Sequence, residues 1–112
     1  KTANKINQKV YEGIYCMYSG PNFETPAEIN ALKVIGGNAV GMSTIPEVLV
    51  ANHCGLPVIA ISVITNLAAG MNKTKLSHQE TLENAALAEN NIINLIKNFI
   101  NDVKLDDSSG NN

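Results

Sequence analysis

Three times along this chain, an apolar run gives way to a small polar cluster and then to a Ser/Thr-x-x-Glu box, at 25–28, 44–47 and 77–80. In such a box the hydroxyl accepts a hydrogen bond from the amide three residues on, while the Glu reaches back. Each box therefore predicts the start of a helix, and the pattern is strand, polar turn, helix, repeated. Parallel strands joined by helical crossovers bring their polar turns to one sheet edge, where such sheets bind ligands.

The run at 58–64 is rich in β-branched residues and does not alternate with charged ones. Such a run is typical of a central strand buried on both faces of a parallel sheet. We predict further strands near 13–18 and 38–42, and helices near 26–35, 46–54 and 78–103, while residues 1–11 are typical of the tail of a helix or its exit loop. The helix at 46–54 is apolar nearly all round, which predicts that protein covers most of its sides.

Three short parallel strands, one of them apolar on both faces, need more sheet and more helices than these 112 residues supply. We therefore expect a three-layer α/β fold, with a mainly parallel twisted sheet flanked by helices. Residues 1–104 would be the C-terminal portion of that domain, and the polar residues 105–112 a disordered tail. The alternative is a compact three-layer mini-domain, which the sequence disfavours.

Composition excludes several classes of function. The net charge is −2, and the eight basic residues are scattered lysines, so no basic stripe marks a nucleic-acid-binding protein. The longest apolar stretch, 56–69, is too short to span a bilayer. No signal peptide is visible, and Cys16 and Cys54 fit no zinc or redox spacing, so we expect both to be small buried hydrophobes. These features predict a cytoplasmic protein, with a Cys16–Cys54 disulfide as the alternative.

Two polar residues stand where a parallel sheet would hold a ligand. Glu24 lies one residue before a helix N-cap, either as a solvent-facing carboxylate near the helix dipole or as an acceptor for the paired N–H groups of a heterocycle. In the second case Phe23 supplies a flat apolar wall. Asn66 ends the long apolar run, either as a turn residue or as an amide whose donor and acceptor suit a planar ligand edge.

Other candidates carry weaker signals. Ser43 is either a neighbour of a helix cap or, with the helix amides, part of an anion site. Met42 is either a core residue or a sugar-packing one, and His78 taken alone is typical of a surface histidine. No histidine spacing predicts a metal site, no catalytic triad can be assembled, and the glycine signatures of phosphate-binding loops are absent.

Taken together, these motifs resemble the trimeric purine nucleoside phosphorylases. The resemblance rests on the segments 20–28 (Gly-Pro-Asn-Phe-Glu-Thr-Pro-Ala-Glu), 41–48 (Gly-Met-Ser-Thr-Ile-Pro-Glu-Val) and 64–66 (Ile-Thr-Asn). The segments 53–56 and 76–78 fit as well, and the match covers roughly residues 11–104 in order. Each motif alone is weak, whereas their combination is specific.

The resemblance implies a role for each matching position in base recognition. Glu24 would bind the N1 side of the purine, and Asn66 would hydrogen-bond O6 and N7. Tyr15 and Phe23 would line the base pocket, and Thr65 would contribute to substrate binding beside Asn66. Glu24 and Asn66 are therefore the predicted catalytic pair, because an amide at N7 and O6 stabilises the negative charge that grows on the departing base.

For the sugar and phosphate, the resemblance implies that Met42 packs on the ribose, Ser43 donates to phosphate and His78 reaches the ribose 5′-hydroxyl. In this family phosphate attacks C1′ of the nucleoside, with no metal and no organic cofactor, in purine salvage. The family's enzymes are homotrimers, whose main phosphate-binding residues lie in an N-terminal half that this chain does not contain. We therefore expect the isolated chain to be inactive.

The residue at position 66 also indicates the class of purine. Family members that act on 6-oxopurines carry Glu and Asn at positions 24 and 66, whereas the related 5′-methylthioadenosine phosphorylases carry Asp in place of Asn66. The sequence therefore favours inosine, guanosine or xanthosine over adenosine analogues. Two alternatives stay open: a methylthioadenosine phosphorylase, and a non-catalytic nucleotide-binding or assembly module that keeps the fold.

Overall fold

In a computed structural model of the protein, the structure describes residues 1–71 and 77–103. This part of the chain contains four helices and two strands: α1 (Thr2–Lys5), β1 (Tyr15–Met17), α2 (Pro26–Val34), β2 (Ala39–Gly41), α3 (Ile45–His53) and α4 (His78–Asp102). It divides into two compact units, one made of residues 12–85 and the other of residues 1–11 with 86–103. The predicted polar tail at 105–112 lies outside the described residues, as does Leu76 of the 76–78 motif.

The two strands form a parallel pair joined by α2. Tyr15 pairs with Ala39, Cys16 with Val40 and Met17 with Gly41. Beyond the last pair, the Tyr18 amide donates to the Gly41 carbonyl at 2.8 Å, which extends the ladder by one bond. The predicted order of strand, helix and parallel strand is thus confirmed, with each strand shorter than its apolar run.

Local signals fix both ends of α2. Thr25 is its N-cap, and the Thr25–Glu28 capping box forms in both directions. At the other end Gly36 has a φ of 95°, a left-handed conformation that glycine adopts without steric cost. The amides of Gly36 and Gly37 donate to the carbonyls of Lys33 and Leu32 at 3.0 and 2.9 Å, so the helix ends in a Schellman motif.

The second predicted capping box does not form. Thr44 precedes α3, but its φ is 79° and its side chain caps no amide of the helix. A capping side chain needs an extended backbone at the N-cap, and a left-handed residue aims its side chain elsewhere. The Thr44 hydroxyl instead lies 3.1 Å from the Ser43 hydroxyl. In the third box the serine does cap the helix: Ser77 Oγ accepts from the Glu80 amide at 3.1 Å, and α4 begins as predicted.

The predicted central strand at 58–64 is wrong for this structure. Among the described residues the sheet has two strands, β1 and β2, and segment 58–64 is not one of them. Its side chains are mostly exposed rather than buried on two faces, and Ile59 reaches 67% exposure. The physical reason is that a strand requires a hydrogen-bonded neighbour, and none of the described segments supplies one beside 58–64.

The expectation that protein covers α3 on most sides is also wrong within the described residues. Leu49 and Val50 are each 64% exposed, and α3 buries none of its residues. Cys54, at the end of this helix, is exposed for the same reason, since no described element packs over it, whereas Cys16 in β1 is half-buried. Both thiols are free, which removes the disulfide alternative.

The unit made of residues 1–11 and 86–103 is held by one carboxylate. Asp102 accepts a hydrogen bond from the Thr2 hydroxyl at 2.7 Å. Its other carboxylate oxygen forms an ion pair with the Lys5 ammonium at 2.6 Å. The bonds from Lys5 and Thr2 lower the pKa of Asp102 below its ordinary value. Thr2, Ala3 and Leu95 are buried in this unit. None of the helices in the described part of the chain is long and apolar enough to cross a membrane.

The contrast between the two threonines at helix starts leads to a stability prediction. Thr25→Ala should lower the free energy of unfolding by about 1 kcal/mol, because it removes the N-cap of α2. Thr44→Ala is the matched control and should change it by less than about 0.5 kcal/mol, because Thr44 caps nothing. Urea unfolding of the full-length protein, followed by circular dichroism, measures both. Equal losses in the two variants would contradict the different roles given to these side chains.

Candidate functional site

The unit of residues 12–85 contains a cavity of about 350 Å³, a size typical of sites for small molecules. Its walls come from the turn before α2, from α2 itself, from residues 37–42 with β2, from residues 63–68 and Met71, and from Thr81 near the start of α4. Among the lining side chains are Phe23, Glu24, Met42, Thr65, Asn66 and Thr81. The predicted meeting of polar turns near the end of the parallel strands is therefore present.

Glu24 is the most buried charged residue of the cavity wall. Its side chain is only 8% exposed, yet no group among residues 1–71 and 77–103 hydrogen-bonds its carboxylate. The carboxylate oxygens are not sealed from solvent, so they open toward the cavity. A carboxylate that is nearly desolvated and has no protein partner gains from a ligand that brings N–H donors. The surface alternative for Glu24 does not fit this burial.

Glu28 holds the turn that carries Glu24. One oxygen of its carboxylate accepts from the Thr25 amide at 2.7 Å and the Thr25 hydroxyl at 2.8 Å. The other oxygen accepts from the hydroxyl of Tyr18, which follows β1. The bonds from Thr25 and Tyr18 lower the pKa of Glu28, and the same Glu28 bond raises the pKa of Tyr18. A charged acceptor and a protonated donor thus tie the end of β1 to the start of α2.

Asn66 is half-buried and held from two directions. Its amide nitrogen donates to the Thr65 hydroxyl at 3.0 Å and to the Thr81 hydroxyl at 3.2 Å. Asn84, one turn further along α4, donates from its side-chain amide to the Thr65 carbonyl. Sequence reasoning missed Thr81 and Asn84, because nothing local to 81–84 indicates a bond to residues 15 to 19 positions away. The box at 77–80, which begins α4, is the only local signal that places this helix there.

Met42 and Tyr15 lie close to glycines that their packing requires. A Cβ added at Gly20, whose φ is 69°, would stand 2.6 Å from the Met42 sulfur. A Cβ added at Gly41 would overlap the Tyr15 hydroxyl, which also accepts from the Ser43 amide at 3.4 Å. Met42 lines the cavity, whereas Tyr15 is not one of the lining residues and contacts the neighbouring Gly41 and Ser43.

Ser43 and His78 are placed differently from the five predicted residues that line the cavity. Both are exposed, and neither lines the cavity in the described part of the chain. Ser43 follows Met42 directly and precedes α3, and His78 is the first residue of α4. The cavity therefore brings together Phe23, Glu24, Met42, Thr65 and Asn66 but not Tyr15, Ser43 or His78, and the binding roles of all eight residues stay predictions.

The family model described as "Phosphorylase superfamily" matches residues 1–101. The chain belongs to the phosphorylase superfamily. The chain is 45% identical over 98 residues to purine nucleoside phosphorylase 1 of Geobacillus stearothermophilus, covering 88% of this chain. It is also 45% identical over 105 residues to the purine nucleoside phosphorylase of Saccharomyces cerevisiae, covering 82% of this chain. The resemblance predicted from the motifs is confirmed.

Solved phosphorylase structures agree with the fold. The Schistosoma mansoni purine nucleoside phosphorylase in complex with inosine has a TM-score of 0.86 and 36% identity to this chain, of which it covers 94%. A Schistosoma complex with guanosine gives the same TM-score and identity. The chain nevertheless spans only 36% of the Geobacillus protein and 38% of the Schistosoma chain with inosine.

The Tyr18–Glu28 bond has a predictable pH range. Folding lowers the pKa of Glu28, so the bond's stabilisation is complete above the ordinary value of 4.5 and is lost as pH falls through the native pKa of Glu28. Folding raises the pKa of Tyr18, so the stabilisation is present below the ordinary value of 10.0 and is lost as pH rises through the native pKa of Tyr18. Tyr18→Phe should therefore be less stable than wild type by a constant amount between about pH 5 and pH 9, and the gap should narrow under acid.

Urea unfolding midpoints across this pH range test the prediction. Tyr11→Phe is the matched control, because Tyr11 is exposed and makes no hydrogen bond to a carboxylate in the described residues. It should follow wild type at every pH. A gap for Tyr18→Phe that stays unchanged well below pH 4.5 would argue against a charged Glu28 as its partner.

Proposed function

We propose that the full-length protein catalyses phosphorolysis of 6-oxopurine ribonucleosides and deoxyribonucleosides. Inorganic phosphate attacks C1′, the bond from C1′ to N9 breaks, and the products are the free purine base and the pentose 1-phosphate. The observation that carries this proposal is the cavity in which a buried Glu24, with no hydrogen-bond partner in the described part of the chain, faces the same space as Asn66. Relatives named purine nucleoside phosphorylase, and solved complexes of such proteins with inosine and guanosine, support it.

The two polar residues suit the two edges of a 6-oxopurine. Glu24 accepts the N–H at N1, which a 6-oxopurine has and a neutral adenine lacks. Asn66 meets the other edge of the base, at N7 and O6, and Phe23 covers its face. Cleavage leaves negative charge on the purine and an oxocarbenium-like sugar. Fixed dipoles and hydrogen-bonding groups that favour the departing base more than the bound nucleoside accelerate the step.

The remaining predicted residues complete the sugar and phosphate side. Met42 packs on the ribose, Ser43 donates to phosphate beside the start of α3, and His78 reaches the 5′-hydroxyl. Phosphate is the co-substrate, and neither a metal nor an organic cofactor takes part. The full-length protein would have the three-layer α/β fold and the homotrimeric assembly of its family, and would act in purine salvage in the cytoplasm.

Because this chain spans about a third of its relatives, we propose that it holds the base-recognition half of the site and little of the phosphate half. The isolated chain should then show no measurable phosphorolysis of inosine, whereas the full-length protein should show phosphate-dependent release of hypoxanthine. A coupled assay with xanthine oxidase follows both. Turnover by the isolated chain close to that of the full-length protein would contradict the division of the site.

The role of Glu24 can be tested with an isosteric change. Glu24→Gln in the full-length protein should lower kcat/KM for inosine by about 10- to 100-fold, because the charge on the acceptor of the N1 hydrogen bond is removed. Glu12→Gln is the matched control, since Glu12 is exposed and lies outside the cavity wall. Equal activity of Glu24→Gln and wild type would reject the base-binding role.

Position 66 should set the class of purine. Asn66→Asp should lower kcat/KM for inosine and raise it for adenosine and 5′-methylthioadenosine, because a carboxylate accepts from a 6-amino group and repels a 6-oxo group. The measurement is the ratio of kcat/KM values for 6-oxo and 6-amino nucleosides. A ratio unchanged from wild type would remove Asn66 from substrate selection, and a wild-type preference for 5′-methylthioadenosine would overturn the proposed substrate class.

A further inference from the structure

We propose that Glu28 is a positioning residue for Glu24. Its carboxylate holds the peptide bond that follows Glu24, and with it the direction in which Glu24 meets the N1 side of the purine. This role rests on the proposed function, which it deepens by adding a residue that affects substrate recognition without lining the cavity. The capping motif assigns Glu28 only to the start of α2.

One oxygen of Glu28 holds the peptide bond that joins Glu24 to Thr25. The N–H group of that peptide is the Thr25 amide, which donates to Glu28 Oε2 at 2.7 Å. The Thr25 hydroxyl donates to the same oxygen at 2.8 Å. Hydrogen bonds to a charged oxygen are strong, so these two fix the plane of the peptide. Because that plane begins at the Cα atom of Glu24, they also restrict the direction of the Glu24 side chain.

The other oxygen of Glu28 connects this peptide to the sheet. It accepts from the Tyr18 hydroxyl, and the Tyr18 amide donates to the Gly41 carbonyl of β2 at 2.8 Å. Along the chain itself, residues 19–24 make no backbone–backbone hydrogen bond in the part of the protein that the structure describes. The Glu28 carboxylate therefore provides, through hydrogen bonds, the connection between the Glu24 peptide and the parallel strands.

Glu24 has no comparable anchor of its own. Its side chain is 8% exposed and accepts no hydrogen bond from residues 1–71 or 77–103, so its direction depends on the backbone that carries it. Glu28, by contrast, is kept charged, because the bonds from Thr25 and Tyr18 lower its pKa below the ordinary value. The two carboxylates thus have different tasks: one holds the turn, and the other stays free for a ligand.

The consequence for the reaction follows from the geometry of hydrogen bonds. An acceptor that shifts or turns loses its bond to an N–H group that the rest of the site holds in place, and a displacement of about 1 Å can cost up to about a hundredfold in rate. Loss of Glu28 should therefore impair the enzyme through Glu24. If the carboxylate of Glu24 is already absent, nothing remains to be positioned, and the effects of the two substitutions should not multiply.

A double-mutant cycle in the full-length protein tests this coupling. Glu28→Ala should lower kcat/KM for inosine by about tenfold, whereas in a protein that already carries Glu24→Ala it should lower it by less than about twofold. Glu28→Gln keeps an acceptor for the Thr25 amide and should restore kcat/KM to within about threefold of wild type. Glu47→Ala is the matched control and should match wild type, because Glu47 is exposed and belongs to the box at 44–47 that does not form.

Each outcome decides between the possibilities. The same fold-loss from Glu28→Ala with and without Glu24→Ala, a Glu28→Gln variant as impaired as Glu28→Ala, or an equal loss in Glu47→Ala would overturn the positioning role. If Glu28→Ala does not fold, as judged by its thermal melting curve, Glu28→Met replaces it under the same criteria. Absence of inosine turnover in the wild type, or wild-type activity of Glu24→Ala, would overturn the proposed function as well. An active wild type and an impaired Glu24→Ala, with independent effects of the two substitutions, would overturn this inference alone.

Discussion

The carboxylate of Glu28 is the group on which the arrangement around the cavity depends. It accepts from the backbone and side chain of Thr25 and from the Tyr18 hydroxyl, so one side chain connects the end of β1 to the first turn of α2. The turn between these two elements carries Phe23 and Glu24. Because both ends of this short turn are fixed by the same charged acceptor, the turn has little freedom, and a nearly buried carboxylate can stand at the cavity wall without a bond of its own.

The elements that the sequence predicted well are those specified by neighbouring residues. The boxes at 25–28 and 77–80 act over three positions, and α2 and α4 begin where these boxes predict. The errors concern pairing and coverage. Whether 58–64 becomes a strand depends on a partner distant in sequence, and the exposure of Leu49 depends on what packs over α3. Thr44 shows a third kind of error, because a positive φ reverses the direction of a side chain that the motif alone predicts to cap.

The same distinction applies to the site. Glu24 and Asn66 could be predicted because each follows an apolar run at the edge where parallel sheets bind ligands. The long-range contacts around them could not. Thr81 reaches Asn66 across 15 positions and Tyr18 reaches Glu28 across 10, so both contacts exist only after the chain has folded. The sequence thus identifies side chains that line the cavity, while their orientation requires coordinates.

The exposed run at 58–64 has a consequence for handling the protein. It has seven uncharged residues, five of them β-branched, and no proline interrupts it. Within residues 1–71 and 77–103 its backbone groups have no hydrogen-bonded neighbour and most of its side chains are exposed, which are features of segments through which chains associate edge to edge into ordered aggregates. The tendency of the isolated chain to aggregate therefore depends on the same segment that leads to Asn66. A charged residue at Ile59 or Ile61 should improve the solubility of the isolated chain, and neither position lines the cavity.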